Sequence, residues 1–112
     1  MKKTPRRYRL ILSTCPNLRV AKRIAAALVN EELAACVNIL PRLQSVYRWR
    51  GKVQQSATEV LLLIKACGRD YARIEARIRT LHPYELPEII SVAVAGGYSR
   101  YLDWIENPDK AQ

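Results

Sequence analysis

Cys15 and His82 carry the softest ligand chemistry in this sequence. A thiolate and an imidazole suit Cu(I), Zn(II) and similar soft or borderline ions. Two ligands leave such a site incomplete, to be filled by symmetry mates, a glutamate or water. Cys15 also precedes a helix start, where a thiol pKa falls, and His82 would be the matching base of a nucleophilic pair. No third member or oxyanion motif accompanies the two, so the chain is not expected to be an enzyme. The plainer reading makes His82 a hydrogen-bonding group at a helix end and Cys15 a small buried hydrophobe. Of the other acid/base candidates, Glu59 is expected on a strand face and Glu85 and Glu88 at a loop rim. With three cysteines, one histidine and no CxxC spacing, a closed structural zinc site is excluded and reduced thiols are expected.

The elements that position these groups follow from hydrophobic spacing. Tyr8 to Thr14 reads as a short strand broken by Cys15-Pro16-Asn17. Asn17 is a good N-cap for an amphipathic helix that places Val20, Ile24, Ala27, Leu28 and Glu31 at helical spacing and runs to about Glu32. A second strand starts near Ala34 and is interrupted at Pro41, which implies a bulge or kink on an edge strand. It resumes over residues 44–50. The third strand covers residues 53–66 around the apolar run at 60–64. Asp70 is placed to cap a second helix whose stripe is Tyr71, Ile74, Ile78 and Leu81. Pro83 ends that helix, Leu86-Pro87 is extended, and residues 89–95 form the fourth strand. A short last helix would turn Tyr98, Leu102 and Ile105 inward.

The order β-α-β-β-α-β plus a terminal helix predicts an α+β, ferredoxin-like sandwich with strand order 4-1-3-2. Two helices would cover one face of the sheet and nothing in the chain the other. In that arrangement Ser13, Thr14, Cys15, His82, Tyr84 and Glu85 gather at one end, and Cys36 and Cys67 lie at the opposite end. The domain reading is a basic tail over 1–7, a single domain over 8–107 and a C-terminal tail over 108–112.

The second and third strands are unusually long. Gly51 supplies the positive φ of a tight turn at the end of Ser45-Val46-Tyr47-Arg48-Trp49-Arg50. An arm of about 15 residues at roughly 3.3 Å each spans about 50 Å, whereas a 14-residue helix covers about 21 Å. The hairpin must therefore project beyond the helices, and an aromatic β overhang needs cover. Another copy of the chain is the simplest candidate. Tyr47 and Trp49, two residues apart, share a face and read as interface residues rather than stacking platforms for bases.

The chain has 112 residues and a formal net charge of +9. Five cations (Lys2, Lys3, Arg6, Arg7, Arg9) fall in the first nine residues. Most others alternate with apolar residues, as on solvated faces, so no specific nucleic-acid partner is expected. No apolar run approaches the roughly 20 residues of a membrane span. The start resembles a signal n-region, but Leu10-Ile11-Leu12 is too short for the apolar region that would follow, and a cytoplasmic location is expected.

Several words of the sequence, in order, resemble the CutA family of divalent-cation tolerance proteins. They are Glu32-Leu33-Ala34-Ala35-Cys36-Val37-Asn38, Pro41, the run from Ser45 to Lys52, Glu59-Val60, His82-Pro83-Tyr84-Glu85-Leu86-Pro87-Glu88 and Tyr101-Leu102-Asp103-Trp104. The resemblance covers about residues 8–106. It implies a homotrimer whose hairpins pair across subunits, a non-enzymatic link to copper and other divalent ions, and architectural kinship with trimeric PII signalling proteins. In the family's copper-binding pattern a cysteine ends the first strand and two adjacent histidines precede Pro-Tyr. Ser13 and Leu81 stand at two of those positions here, and His82 alone matches. The resemblance thus supports His82 alone as a copper or zinc ligand; Cys15, two residues past the aligned position, would be its partner only if the turn lets the sulfur reach the imidazole. By the PII likeness, a small anionic ligand in an intersubunit cleft would meet Tyr47, Lys52, Lys65 and Tyr84.

Overall fold

The computed structural model of the chain describes residues 7–109. Its elements are β1 (Tyr8–Cys15), α1 (Leu18–Asn30), β2 (Cys36–Trp49), β3 (Lys52–Cys67), α2 (Tyr71–Leu81), β4 (Ile90–Ala93) and α3 (Ser99–Glu106). The four strands form one antiparallel sheet in the order β2-β3-β1-β4. Alternation along the strands sends Ile11 and Cys15 of β1 and Val60, Leu62 and Ile64 of β3 to one face, where they meet Ile24 and Leu28 of α1 and Ile74 and Ile78 of α2. Asn17 caps α1 as expected, its Oδ1 accepting the Val20 N–H at 2.9 Å. Asp70 holds the cap position of α2 but pairs with Arg73 instead, because a short 3-10 turn at Gly68–Asp70 leads into the helix. Arg77 of α2 grips the Glu31 carboxylate at the end of α1 through Nε and a terminal nitrogen at 2.8–3.0 Å.

The β2–β3 hairpin turns at Arg50 and Gly51, with φ of 52° and 79°. Positive φ at both central residues is what a two-residue type I′ turn requires, so Arg50 shares the strain that the sequence assigns to Gly51 alone. The molecule is 49 Å long and at most 25 Å across, and the hairpin accounts for the length. Pro41 does mark an irregularity on an edge strand: the register shifts between Leu40 and Leu43 and again between Leu43 and Ser45. The first shift adds a residue to β2 and the second adds one to β3, so the two cancel and the tip stays in register. Arg42 takes up the bend with a φ of 65°.

Two expectations about the far face need correction. α3 covers one end of it: Leu102 and Ile105 pack with Tyr8. Tyr98 is 68 % exposed and precedes the helix rather than facing inward. Arg7, assigned to the loose tail, is tied down; its guanidinium pairs with Glu106 of α3, which also accepts the Tyr8 hydroxyl at 3.1 Å. The rest of the tail, residues 1–6, and residues 110–112 lie outside the described residues. Beyond α3 the face stays bare, with Leu40, Ile90 and Val92 exposed.

The Arg7 hydrogen bond, more than any other group, holds the Glu106 carboxyl below its usual range. A depressed native value means the clamp's contribution is fully present above about pH 4.3, the unfolded-chain value, and is lost as pH falls through the native one. The stability difference between wild type and Glu106→Gln, from urea midpoints, should therefore be constant near neutral pH and shrink below about pH 4. A difference that widens on acidification would contradict the clamp.

Candidate ligand cleft beneath the hairpin

The end of β1, the end of α2 and the root of the hairpin meet at one end of the sheet. His82 follows α2 directly and is buried, 7 % exposed. Its Nε2 donates to the Thr14 carbonyl oxygen at 2.7 Å, and its Nδ1 accepts the Tyr84 N–H at 3.1 Å. Because a carbonyl only accepts and an amide N–H only donates, the proton is assigned to Nε2. The Tyr84 ring lies 4.8 Å from the imidazole, and its hydroxyl donates to Glu59 Oε2 at 3.0 Å. A chain of contacts therefore runs from the β1 carbonyl through imidazole and phenol to a carboxylate.

Glu59 reaches that position because β3 carries it on the face opposite the helices, next to the double register shift. That face also presents Thr14 of β1, and beyond the shift it continues through Ser45, Tyr47 and Trp49 of β2. Residues 83–88 rise opposite them. The two walls enclose a cleft of about 680 Å³. At its mouth Arg50 pairs with Glu85 at 3.2 Å, both exposed, and the Arg50 guanidinium lies 5.4 Å from the Trp49 ring centre. Burial first, then the bond to Glu59, pushes Tyr84 up to about 12, so the phenol stays a donor across the ordinary pH range.

The structure sorts the candidates unequally. His82, Tyr84, Thr14 and Glu85 do come together, whereas Cys15 points to the other side of the sheet, fully buried in the core. Its thiol is not lowered by the helix start; burial, reinforced by the Glu59 charge, pushes it up to about 11. Desolvation outweighs the helix start, since no water reaches the sulfur. Tyr47 and Tyr84 both line the cleft, but Lys52 and Lys65 do not. Lys52 pairs with Trp49 at the tip, and Lys65 lies opposite Leu10 and Cys36 with its ammonium 5.7 Å from the Tyr101 ring under α3. Along one strand the two lysines are roughly 40 Å apart, so they cannot serve one small ligand within a chain. Cys36 and Cys67 share a strand face at the far end as diagonal neighbours and are free thiols. Sequence reasoning weighed Glu59 only as a polar residue on a strand face, where it does lie, and did not place it in the cleft wall. The signal on offer was a carboxylate directly before the apolar run of a strand.

Among the described residues no three His, Cys, Asp or Glu side chains cluster in a way that could hold a metal ion. The His82–Cys15 pair does not fit one either: both imidazole nitrogens are engaged, and the thiol is protonated and turned away.

This small α+β sheet with a long hairpin and a cleft at its root has the architecture of solved divalent-cation tolerance proteins. The structure of that protein from Thermus thermophilus superposes with a TM-score of 0.85 at 45 % identity, covering 88 % of this chain and 95 % of that one. CutA from Xylella fastidiosa gives 0.84 at 47 % identity, covering 88 % and 93 %. The CutA1 divalent ion tolerance protein family matches residues 9–108, and the chain belongs to that family. In sequence it is 47 % identical over 96 residues to the divalent-cation tolerance protein CutA of Thermus thermophilus, covering 86 % of this chain and 92 % of the relative. It is 44 % identical over 92 residues to human protein CutA, of which it spans only 51 %.

Two outcomes follow from the packing. Iodoacetamide at pH 8 should leave Cys15 unmodified in the folded protein and label it fully in denaturant, as read by peptide mass spectrometry; labelling in the fold would overturn its burial. Ser13 Oγ is buried with no hydrogen-bond partner among the described residues. Ser13→Ala should therefore leave the midpoint of unfolding unchanged or raise stability by up to about 1 kcal/mol, and a clear loss would reveal a partner.

Proposed function

We propose that this chain is a cytoplasmic, non-enzymatic divalent-cation tolerance protein that acts as a homotrimer of ferredoxin-like subunits. The family match over residues 9–108 carries the reading. Two features of the single chain support assembly. The sheet face beyond α3 leaves Leu40, Ile90 and Val92 bare, and the hairpin projects Val46 and Val53, 69 % and 62 % exposed. Burial of such a face and pairing of such an edge are the ordinary ways to stabilise an overhang of this length. Tyr47 and Trp49 would support the hairpin at that contact. The relatives are described in more than one compartment, a periplasmic protein in Archaeoglobus fulgidus and a chloroplastic one in Arabidopsis thaliana, so the cytoplasmic assignment rests on the sequence reading alone.

In this proposal tolerance does not run through a tight copper or zinc site at His82 and Cys15, because neither group offers a free ligand atom. A PII-like site for a small anion would have to draw Lys52 or Lys65 from a neighbouring subunit, since among the described residues neither lines the cleft within one chain.

The function is tested in cells: removing the gene should raise sensitivity to added copper or zinc, and restoring it should reverse the effect. Unchanged sensitivity would count against a tolerance role. In solution, light scattering should give three times the 12.8 kDa chain mass. Trp49→Ala should dissociate at lower denaturant than wild type. Copper titrations of wild type, His82→Ala and Cys15→Ser should coincide. An affinity loss of about tenfold or more in His82→Ala, some 1.4 kcal/mol, would return the metal to the imidazole.

A further inference from the structure

The helices α1 and α2 pack on the side of the sheet opposite the bare face proposed for assembly. On the outer surface of α1, Arg19, Lys22 and Arg23 are exposed within its first two turns, and the helix holds no carboxylate from Leu18 to Asn30. Arg79 is exposed on α2. None of these four cations forms an ion pair among the described residues. The other two arginines of α2 are taken up within the chain, Arg77 by Glu31 and Arg73 by Asp70. Glu75 accepts the Tyr71 hydroxyl at 2.8 Å, and Glu32 stands past the C-terminal end of α1.

This placement works against the helix that carries it. The N-terminal end of a helix is the positive end of its dipole, so cations there raise its energy. Like charges three and four residues apart also repel, as Arg19 does with Lys22 and Arg23. The cluster therefore calls for a countercharge from outside the chain. The rest of the layer says which kind. Ala26, Ala72 and Ala76 are exposed between the cations and leave the surface flat. Its exposed large apolar side chains, Leu18 and Val29, lie at opposite ends of α1. They do not form the contiguous apolar face that seats a helix in a lipid surface or anchors a protein partner. Tyr71 is partly buried and bonded to Glu75, so the layer has no exposed ring on which unpaired bases could stack. A flat, arginine-rich surface without apolar anchors suits the backbone phosphates of a duplex.

We propose that the helical layer binds the phosphate backbone of double-stranded nucleic acid without reading its sequence, through Arg19, Lys22 and Arg23 of α1 and Arg79 of α2. From Arg19 to Arg23 the helix rises about 6 Å. A duplex carries a charge about every 1.7 Å of its axis, so the cluster meets phosphates in any register. The formal net charge of +9 adds long-range attraction to the same partner. The inference goes beyond metal tolerance and stands without it. The layer is complete in one chain, and a trimer built through the opposite face leaves it open and repeats it.

Fluorescence anisotropy of a labelled DNA duplex, titrated with the full-length protein over a series of salt concentrations, tests this. Wild type should bind saturably, equally for duplexes of unrelated sequence, and more weakly as salt rises. The triple variant Arg19→Gln, Lys22→Gln, Arg23→Gln should lose roughly tenfold or more in affinity, with a salt dependence flatter by about three phosphate contacts. Lys2→Gln, Lys3→Gln, Arg6→Gln removes the same charge from the start of the chain and should stay within a few-fold of wild type. Because the α1 cations oppose their own helix, the α1 variant should keep or raise the urea midpoint. No duplex binding by wild type, or equal losses in the two triple variants, would overturn the assignment; the second result would leave net charge alone as the cause. A lowered midpoint of the α1 variant would overturn it too, since the cations would then serve the fold. So would tighter binding of wild type to phosphatidylglycerol vesicles than to the duplex at equal salt, which would make the partner a membrane. Copper sensitivity in cells is a separate readout, so failure here leaves the tolerance reading standing and the reverse also holds.

Discussion

The imidazole of His82 is the constraint on which the working end of this molecule depends. It is shared between a carbonyl at the end of β1 and an amide just past α2. Those two elements belong to different layers, the sheet and its helical cover. A donor on one side and an acceptor on the other, held by a rigid ring, fix the distance between the layers where the chain leaves α2. A longer, flexible side chain with the same hydrogen-bonding capacity would lose more rotamer entropy on making both contacts. Once His82 is pinned, Pro83 and Pro87 limit what the following residues can do, and Tyr84 is delivered over Glu59. The outer wall of the cleft is thus a consequence of one doubly bonded ring rather than of the hydrophobic core.

The inner wall has a different origin. β2 and β3 would have sent Glu59 and Tyr47 to unrelated faces if only one strand had gained a residue at the Pro41 irregularity. Two register shifts of opposite sense restore the alternation. A one-residue slip moves every side chain beyond it to the other face, so this double shift decides that Ser45, Tyr47 and Trp49 look into the cleft. Arg42 at positive φ and the proline beside it are the local strain that the arrangement carries.

These two origins explain what the sequence made legible. Helical stripes, the capping asparagine, the hairpin turn and the gathering of His82, Tyr84 and Thr14 at one end follow from spacing and chain direction, which are local or topological. Glu59 was legible as a residue of the bare face, because alternation from Val60, Leu62 and Ile64 puts it there, but not as a cleft residue, because which β2 side chains join it depends on how the two strands compensate. Cys15 misled for a related reason. The helix start after it is visible in the sequence, whereas the depth of the core around its sulfur emerges only when both helices are docked, and burial has the larger effect on a thiol. Arg7 looked like tail because its partner, Glu106, is at the other end of the chain, in a helix whose docking over Tyr8 no periodicity announces.

The charge balance gives the cleft its character. The chain carries a formal net charge of +9, yet among the described residues the cleft lining within one chain holds Glu59, Glu85 and Glu88 and no basic side chain. A basic surface repels cations at long range, and that field is screened over about 8–10 Å at physiological salt. Inside a concave, partly apolar site the screening is weaker and nearby carboxylates dominate. Local and global electrostatics are therefore opposed. Net charge, the property most easily read from composition, points toward anionic partners, while the carboxylates in the cleft set the opposite sign locally.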